Sequence, residues 1–214
     1  MKALFIETKR KISKNKEDLP SLAGLSKLPK ELFIAYSIQY KLLAELIKKE
    51  LEARKHEVTG FQQVLGCSKL KVKAGLAILL VGTGRFHALN LALQNTGKVY
   101  VFDEGNISEI NTKEIEQLKN QKRIQLNRFV LAKKIGILIS TKPGQSKLDK
   151  SEQLKKLIAK KYPEKQIYLF VSNNININEF ENFDISFWIN SACAGLVNDA
   201  SQLANIDDIL EFLL

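Results

Sequence analysis

Short apolar runs alternate along the chain with segments whose apolar residues recur at helical spacing. The runs predict strands at 3–7, 32–37, 58–65, 76–81, 99–102, 135–139, 167–171 and 185–189. The helical segments are 40–54, 85–94, 112 to about 133, 148 to about 160, and 207–214 at the end of the chain. Strands that alternate with helices of this length predict βαβ units and parallel sheets, and therefore an α/β fold.

The two halves of the chain repeat the same order of features. In each half a strand is followed by a glutamine at a strand-to-helix turn (Gln39, Gln145), a helix, a further strand and then a cysteine (Cys67, Cys193). This order predicts two tandem, related Rossmann-like βαβ domains with parallel sheets. We place an N-terminal strand and linker at 1–28, one α/β domain at 29–128 and the other at 129–214.

Composition and charge limit the class of protein. The 214 residues are 45% hydrophobic and 26% charged, which is typical of a globular chain. They contain neither a membrane-length apolar run nor a signal peptide, so we expect a cytoplasmic protein that does not bind membranes. The net charge of +10 comes from 28 Lys and only five Arg. Because specific nucleic-acid contacts usually rely on Arg, this excess favours a solvated surface and leaves an acidic macromolecular partner open.

The two cysteines allow two interpretations. Neither belongs to a CxxC pair, and a cytoplasmic location disfavours a disulfide, so they are either small buried hydrophobes or a site formed in space. Ligands of open parallel sheets bind beyond the carboxyl ends of the strands. Cys67 and Cys193 both follow strands, and two facing domains would bring both sulfur atoms to one site.

Two strand-to-helix turns are further candidates for binding. Residues 82–87 (GTGRFH) follow a buried strand and open a helix, so a ligand could approach their backbone closely, although a tight turn without a ligand also uses glycine. The segment is not a dinucleotide fingerprint, because His87 replaces the third glycine. Residues 140–145 (STKPGQ) lack the Walker pattern and favour a structural turn. The sequence contains only two histidines, His56 and His87, and no Ser-His-Asp catalytic triad can be assembled around either of them.

Four ordered motifs resemble one family. The segments 63–68 (QVLGCS), 82–87 (GTGRFH), 140–145 (STKPGQ) and 187–193 (FWINSAC) are similar, in that order, to the second and third domains of the archaeal diphthamide synthase family. The resemblance covers nearly all of the chain. It implies an enzyme with a [4Fe–4S] cluster that transfers the 3-amino-3-carboxypropyl group of S-adenosylmethionine to a histidine of translation elongation factor 2.

The resemblance also implies roles for individual residues. Family members have three similar domains, each of which contributes one cysteine to the cluster, and they work as dimers. By matching motif, Cys67 and Cys193 are the metal ligands of the second and third domains. The residues expected to line the S-adenosylmethionine pocket are Gln39, Gly82, Gly84, Phe86, His87, Ser140 and Gln145.

Two departures from the family pattern shape the hypothesis. The family's first domain, with its cysteine, has no counterpart in this sequence, and the usual Cys-Pro-Arg is here Cys193-Ala194-Gly195. We therefore expect a separate polypeptide to supply the first domain, within a homo- or hetero-oligomer. The alternatives are a non-catalytic accessory subunit and a cluster-free, Rossmann-like ligand-binding module.

Overall fold

A computed structural model of the chain describes residues 20–66, 68–180, 182–197 and 202–214. The strand predicted at 3–7, most of the predicted linker, and Cys67 lie outside these residues. The chain divides into two compact units, Met1–Glu116 and Gln117–Leu214. This division lies within the helix Thr112–Leu131, and the boundary predicted between 128 and 129 lies near the end of the same helix. The assignment of the family's domains to the predicted ranges stays a prediction. Within the described residues no helix is long and apolar enough to cross a membrane.

The first unit contains a five-stranded sheet. Its strands are β1 (Glu31–Tyr36), β2 (Glu57–Gln63), β3 (Ala77–Val81), β4 (Val99–Asp103) and β5 (Asn106–Glu109). The strand order is β2-β1-β3-β4-β5, and the first four strands are parallel. Its helices are α1 (Lys41–Ala53), α2 (Arg85–Gln94) and the beginning of α3 (Thr112–Leu131), and short 3-10 helices span Ala23–Lys27 and Ile38–Tyr40.

Helices cover both faces of this sheet. Alternate residues of β3 point to opposite faces, so Leu79 packs in the cluster that contains Ile47 of α1, whereas Ile78 packs in the cluster that contains Leu91 of α2. All five residues of β3 are buried, as predicted for a central parallel strand. The alternation places α1 and α2 on opposite faces, which is the doubly wound arrangement of a Rossmann-like sheet.

Strand β5 is an antiparallel edge strand that was not predicted from the sequence. It pairs with β4 through a two-residue turn, Glu104-Gly105, with φ angles of 47° and 90°. Positive φ at both positions is the type I′ turn that joins antiparallel strands. The first sheet therefore has one antiparallel edge strand, while its other four strands are parallel as predicted.

The second unit contains a four-stranded, fully parallel sheet. Its strands are β6 (Lys134–Ser140), β7 (Gln166–Ser172), β8 (Phe187–Asn190) and β9 (Leu203–Asn205), in the order β7-β6-β8-β9. Its complete helices are α4 (Leu148–Lys161) and α5 (Ile206–Leu213), and 3-10 helices span Ile177–Phe180 and Ala194–Val197. One face packs against Leu154 of α4, Ile209 of α5 and Phe129 of α3. The other face carries Trp188 of β8, whose ring packs against that of Phe180.

The two sheets share one strand order, which confirms two tandem, related α/β domains. Strands β1, β2, β3 and β4 correspond to β6, β7, β8 and β9. Gln39 and Gln145 follow corresponding strands, as predicted. The cysteines do not, since Cys67 comes after β2 along the chain and Cys193 comes after β8, the counterpart of β3. The repeat therefore pairs the Cys193 loop with the 82–87 turn, which corrects the predicted equivalence of the two cysteines.

Candidate functional site

The turn after β3 depends on glycine. Gly82 has a φ of 150°, and its amide donates to the carbonyl oxygen of Phe102 at 3.3 Å. A Cβ atom at Gly82 would lie 2.8 Å from Oγ of Ser37 and 3.6 Å from Cδ2 of Tyr40. The close approach places Gly82 beside the 3-10 helix that contains Gln39, whose side chain is exposed. Two of the predicted pocket positions therefore belong to one edge of the first sheet.

The residue that precedes Cys67 packs against the same turn. A Cβ atom at Gly66 would lie 2.7 Å from Cε1 of Phe86 and 3.4 Å from Nε2 of His87. The carbonyl oxygen of Gly66 accepts a hydrogen bond of 2.7 Å from Nδ2 of Asn90 on α2. The structure thus brings the chain immediately before Cys67 against two predicted pocket residues. Cys67 itself lies outside the described residues.

His87 has a hydrogen-bonding atom that the described part of the protein does not use. Its Nδ1 atom is buried and has no hydrogen-bond partner there. The ring lies over Gly84, where φ is 121° and a Cβ atom would be 2.8 Å from Nδ1. Buried polar atoms are nearly always satisfied, so this nitrogen is a candidate contact for a ligand. By contrast, His56 is buried with Nδ1 2.9 Å from the carbonyl oxygen of Pro29, which is a structural role.

An ion pair connects this turn to α3. Arg85, in the first turn of α2, makes two contacts with the carboxylate of Glu114, and Nε donates to Oε2 at 2.7 Å. The hydrogen bond with Arg85 lowers the pKa of Glu114, and the same bond raises the pKa of Arg85. The guanidinium charge nearest the glycine turn is therefore already paired with a carboxylate.

Cys193 lies in a loop held by buried polar side chains. Asn190, at the end of β8, is 1% exposed. Its Nδ2 donates to the carbonyl oxygen of Cys193 at 2.8 Å and to Oδ1 of Asn205 at 2.9 Å, and its Oδ1 accepts from the amide of Ala192 at 3.0 Å. Ser191 donates its hydroxyl to the carbonyl oxygen of Leu138 at 2.8 Å. The backbone of the loop is fixed, while Cys193 itself is exposed with a free thiol.

The turn after β6 uses Ser140 internally. Ser140 is buried, and its Oγ accepts from the amide of Lys142 at 3.1 Å and donates to the carbonyl oxygen of Asn173 at 3.4 Å. Gln145 is half-buried, and its amide donates to the carbonyl oxygen of Lys142 at 3.0 Å, which closes the turn. These bonds agree with the structural interpretation of this motif. A pocket role for Ser140 or Gln145 stays a prediction.

Comparison with known proteins decides the family. The family model described as "Putative diphthamide synthesis protein" matches residues 1–203. The chain belongs to this family. The assignment made from the four motifs is thereby confirmed.

Two similar curated proteins are archaeal and longer than this chain. The chain is 27% identical over 183 residues to the 2-(3-amino-3-carboxypropyl)histidine synthase of Pyrococcus horikoshii, covering 81% of this chain and 53% of that protein. It is 30% identical over 133 residues to the enzyme of the same name from Methanocaldococcus jannaschii, covering 60% of this chain and 35% of that protein. The chain therefore spans about half or less of the length of the curated relatives it matches.

The fold is that of a solved archaeal protein. The crystal structure of Dph2 from Pyrococcus horikoshii with a 4Fe-4S cluster matches with a TM-score of 0.77 and 26% identity, over 90% of this chain and 59% of that one. A second crystal structure of Dph2 from the same organism matches with a TM-score of 0.76 and 25% identity, over 90% and 60%. The α/β class with two Rossmann-like sheets is confirmed by this likeness.

The donor chemistry of this chain suits an iron–sulfur cluster, but the number of donors does not complete one. Thiolates are the usual protein ligands of such clusters, and Cys193 presents an exposed thiol from a fixed loop. Within the described residues, no three His, Cys, Asp or Glu side chains lie close enough together to hold a metal ion. The whole chain has two cysteines. A site with three thiolates would need one donor besides Cys67 and Cys193.

Three asparagines that shape the site were not predicted from the sequence. Asn90 contacts Gly66, and Asn190 and Asn205 organise the loop of Cys193. An asparagine after an apolar run is usually a turn residue, so Asn190 gave no functional signal. Its position at the end of a fully buried strand was the available sign, because a buried amide must find partners.

Proposed function

We propose that this chain takes part in the first step of diphthamide biosynthesis. In this step the 3-amino-3-carboxypropyl group of S-adenosylmethionine is transferred to a histidine of translation elongation factor 2. The observation that carries the proposal is the family match over residues 1–203. The structural likeness to a Dph2 that holds a 4Fe-4S cluster supports the cofactor.

Cys67 and Cys193 would hold the cluster, and a separate polypeptide with the family's first domain would supply the third thiolate. When bound, a cluster with three protein ligands supplies redox chemistry and an open iron site for the methionine part of the co-substrate. The fixed backbone of the Cys193 loop supports a ligand role, because a metal site depends on donors whose positions are set before the metal binds. The assembled enzyme would be a homo- or hetero-oligomer in the cytoplasm.

The chain's own residues would bind and orient the co-substrate. Gly82 and Gly84 lack the Cβ atoms that would collide with Ser37 and His87, and Nδ1 of His87 is available for a polar atom of the ligand. Phe86 offers an aromatic wall beside this nitrogen. We include Gln39, Ser140 and Gln145 in the proposed pocket on the strength of the family motifs alone. The net charge of +10 suits docking onto an acidic protein surface.

Anaerobic reconstitution with iron and sulfide tests this proposal. The chain is treated alone and with a homologous first-domain polypeptide, and iron content and visible absorbance are measured. We expect a brown, iron-containing species only in the mixture, and we expect Cys67→Ser and Cys193→Ser each to abolish it. The control variant Ser26→Ala, which changes an exposed residue of the first unit, should bind as much iron as the unaltered chain.

Two outcomes would contradict the proposal. Iron binding that survives both cysteine substitutions would show that the thiols only pack. An absence of iron in the mixture would favour the cluster-free ligand-binding module. If iron binds but no group transfer to elongation factor 2 follows, the accessory-subunit alternative is favoured, and a complete family member added to the assay should then restore transfer.

A further inference from the structure

Helix α2 and the residues after it hold the segment that follows Cys67. Three consecutive side chains accept hydrogen bonds from backbone amides of this segment. The bonds join Leu70 to Oε1 of Gln94 at 3.1 Å, Val72 to Oδ1 of Asn95 at 3.3 Å, and Gly75 to Oγ1 of Thr96 at 2.9 Å. Side chains thus replace the partner strand that an extended segment would otherwise need.

The same helix also holds the chain on the other side of Cys67. Nδ2 of Asn90 donates to the carbonyl oxygen of Gly66 at 2.7 Å, and Nε2 of Gln94 donates to that of Ser68 at 3.3 Å. The carbonyl groups of the residues before and after Cys67 are therefore both bonded to one helix. The bond from Asn90 is the shorter of the two, and Asn90 is half-buried whereas Gln94 is exposed.

We propose that Asn90 is a positioning residue for Cys67. Asn90 fixes the Gly66 carbonyl, and Gly66 has no room for a side chain because Phe86 lies where its Cβ atom would be. The bond therefore fixes the carbonyl group of the residue immediately before Cys67, and it does so from the helix that carries Phe86 and His87. The role of Cys67 as a cluster ligand rests on the proposed function, but the anchoring of its segment does not.

The consequence for a metal site is physical. A thiolate ligand binds well only if its backbone is already in place, and substitutions of such outer supports commonly weaken metal binding about tenfold or more. Loss of one hydrogen bond should also let the segment open about five times more often. Both effects should be confined to the segment around Cys67.

The test compares Asn90→Asp with the matched control Asn120→Asp, an exposed asparagine on α3. Aspartate keeps the shape of asparagine but replaces the donating NH₂ with an acceptor, so it removes the bond to the Gly66 carbonyl without opening a cavity. Hydrogen–deuterium exchange of 66–76 is measured on the chain alone. Iron retention against a chelator and the electron paramagnetic resonance spectrum of the reduced cluster are measured after reconstitution with the first-domain polypeptide. Asn90→Ser, whose hydroxyl is too short to reach, serves if the aspartate variant fails to fold.

We expect exchange at 66–76 to be about fivefold faster in the Asn90 variant. We also expect iron retention to be about tenfold weaker and the spectrum altered, with Asn120→Asp unchanged in all three. Unchanged exchange in the Asn90 variants would overturn the anchoring. Faster exchange with unaltered iron retention and spectrum would overturn the positioning role. If the unaltered chain takes up no iron, the proposed function fails, and the exchange result alone decides whether Asn90 anchors the segment.

Discussion

The loops after β3 and β8 occupy the same position in two sheets of the same strand order, yet they are built in opposite ways. The first loop contains two glycines with positive φ, Gly82 and Gly84, and it leaves a buried nitrogen of His87 without a partner among the described residues. The second loop is fixed by Asn190, whose amide group bonds to three neighbours. The first loop leaves a ring nitrogen available, while the second uses the polar atoms of Asn190 internally and exposes a thiol.

This difference teaches how one topology can serve two tasks. A loop that receives a ligand needs an unused polar atom, and the first loop has one in Nδ1 of His87, whose ring lies against Gly84 because glycine lacks a Cβ atom. A loop that presents a ligand atom needs a rigid backbone, and a fully satisfied buried amide provides it. The contrast therefore predicts that the two loops respond differently to the same kinds of substitution.

The largest effect is expected at Asn190. Asn190→Ala would leave the amide of Ala192, the carbonyl oxygen of Cys193 and Oδ1 of Asn205 without this partner in a buried region. Each unsatisfied buried group costs about 1–3 kcal/mol, and relaxation recovers part of the sum, so we expect the free energy of unfolding to fall by about 3 kcal/mol. Chemical denaturation followed by circular dichroism measures it.

Asn120→Ala is the control for this substitution, because it makes the same chemical change at an exposed position on α3. Its free energy of unfolding should stay within about 0.5 kcal/mol of the unaltered chain. A loss below about 1 kcal/mol at Asn190 would mean that the network does not fix the Cys193 loop.

The glycine turn should show the second-largest effect. Gly82→Ala would place a side chain at a φ of 150° and 2.8 Å from Oγ of Ser37, so we expect a loss of about 2 kcal/mol. The corresponding loop offers a matched control in Gly195, where a Cβ atom would lie 3.8 Å from Sγ of Cys193 and φ is not positive. Gly195→Ala should be neutral within about 0.5 kcal/mol. Equal losses at both glycines, measured by denaturation, would remove the distinction between the loops.

The main elements of this fold were predictable because their signals are local. The apolar spacing of α1 and the uninterrupted apolar run of β3 identify their structures directly, and the structure has both within a residue or two of the predicted bounds. The β4–β5 hairpin was not predicted because its turn is Glu104-Gly105, without the usual asparagine or aspartate before the glycine. Short β9 escaped because three residues carry too little periodicity to be recognised.

The candidate site was predictable only in part. Glycines and cysteines stand out by residue type, so Gly82, Gly84 and Cys193 could be singled out without a structure. The supporting amides could not, because the value of Asn90 and Asn190 lies in partners that only the folded backbone brings within reach. Whether Gln39, Ser140 and Gln145 line a pocket stays a prediction.

The smallest expected effect concerns pH. Arg85 holds the pKa of Glu114 below its ordinary value, so the unfolded chain binds a proton at Glu114 more readily than the folded chain does. The stability from this pair is therefore present above the ordinary carboxyl pKa of about 4.3, and it is lost as the pH falls from there through the lowered value. Arg85 is largely exposed, so solvent screening limits the contribution to about 0.5 kcal/mol.

Denaturation of the unaltered chain and of Glu114→Gln from about pH 7 to about pH 3 measures this contribution. The variant should be less stable at neutral pH, and the difference should vanish at the acidic end. Glu116→Gln, an exposed change on the same helix, should show no such loss. The loss of stability caused by Asn190→Ala should persist at every pH, because the hydrogen bonds of Asn190 join only amide and carbonyl groups. A Glu114→Gln offset that persists at low pH would show that the first loop is held by packing and not by its ion pair.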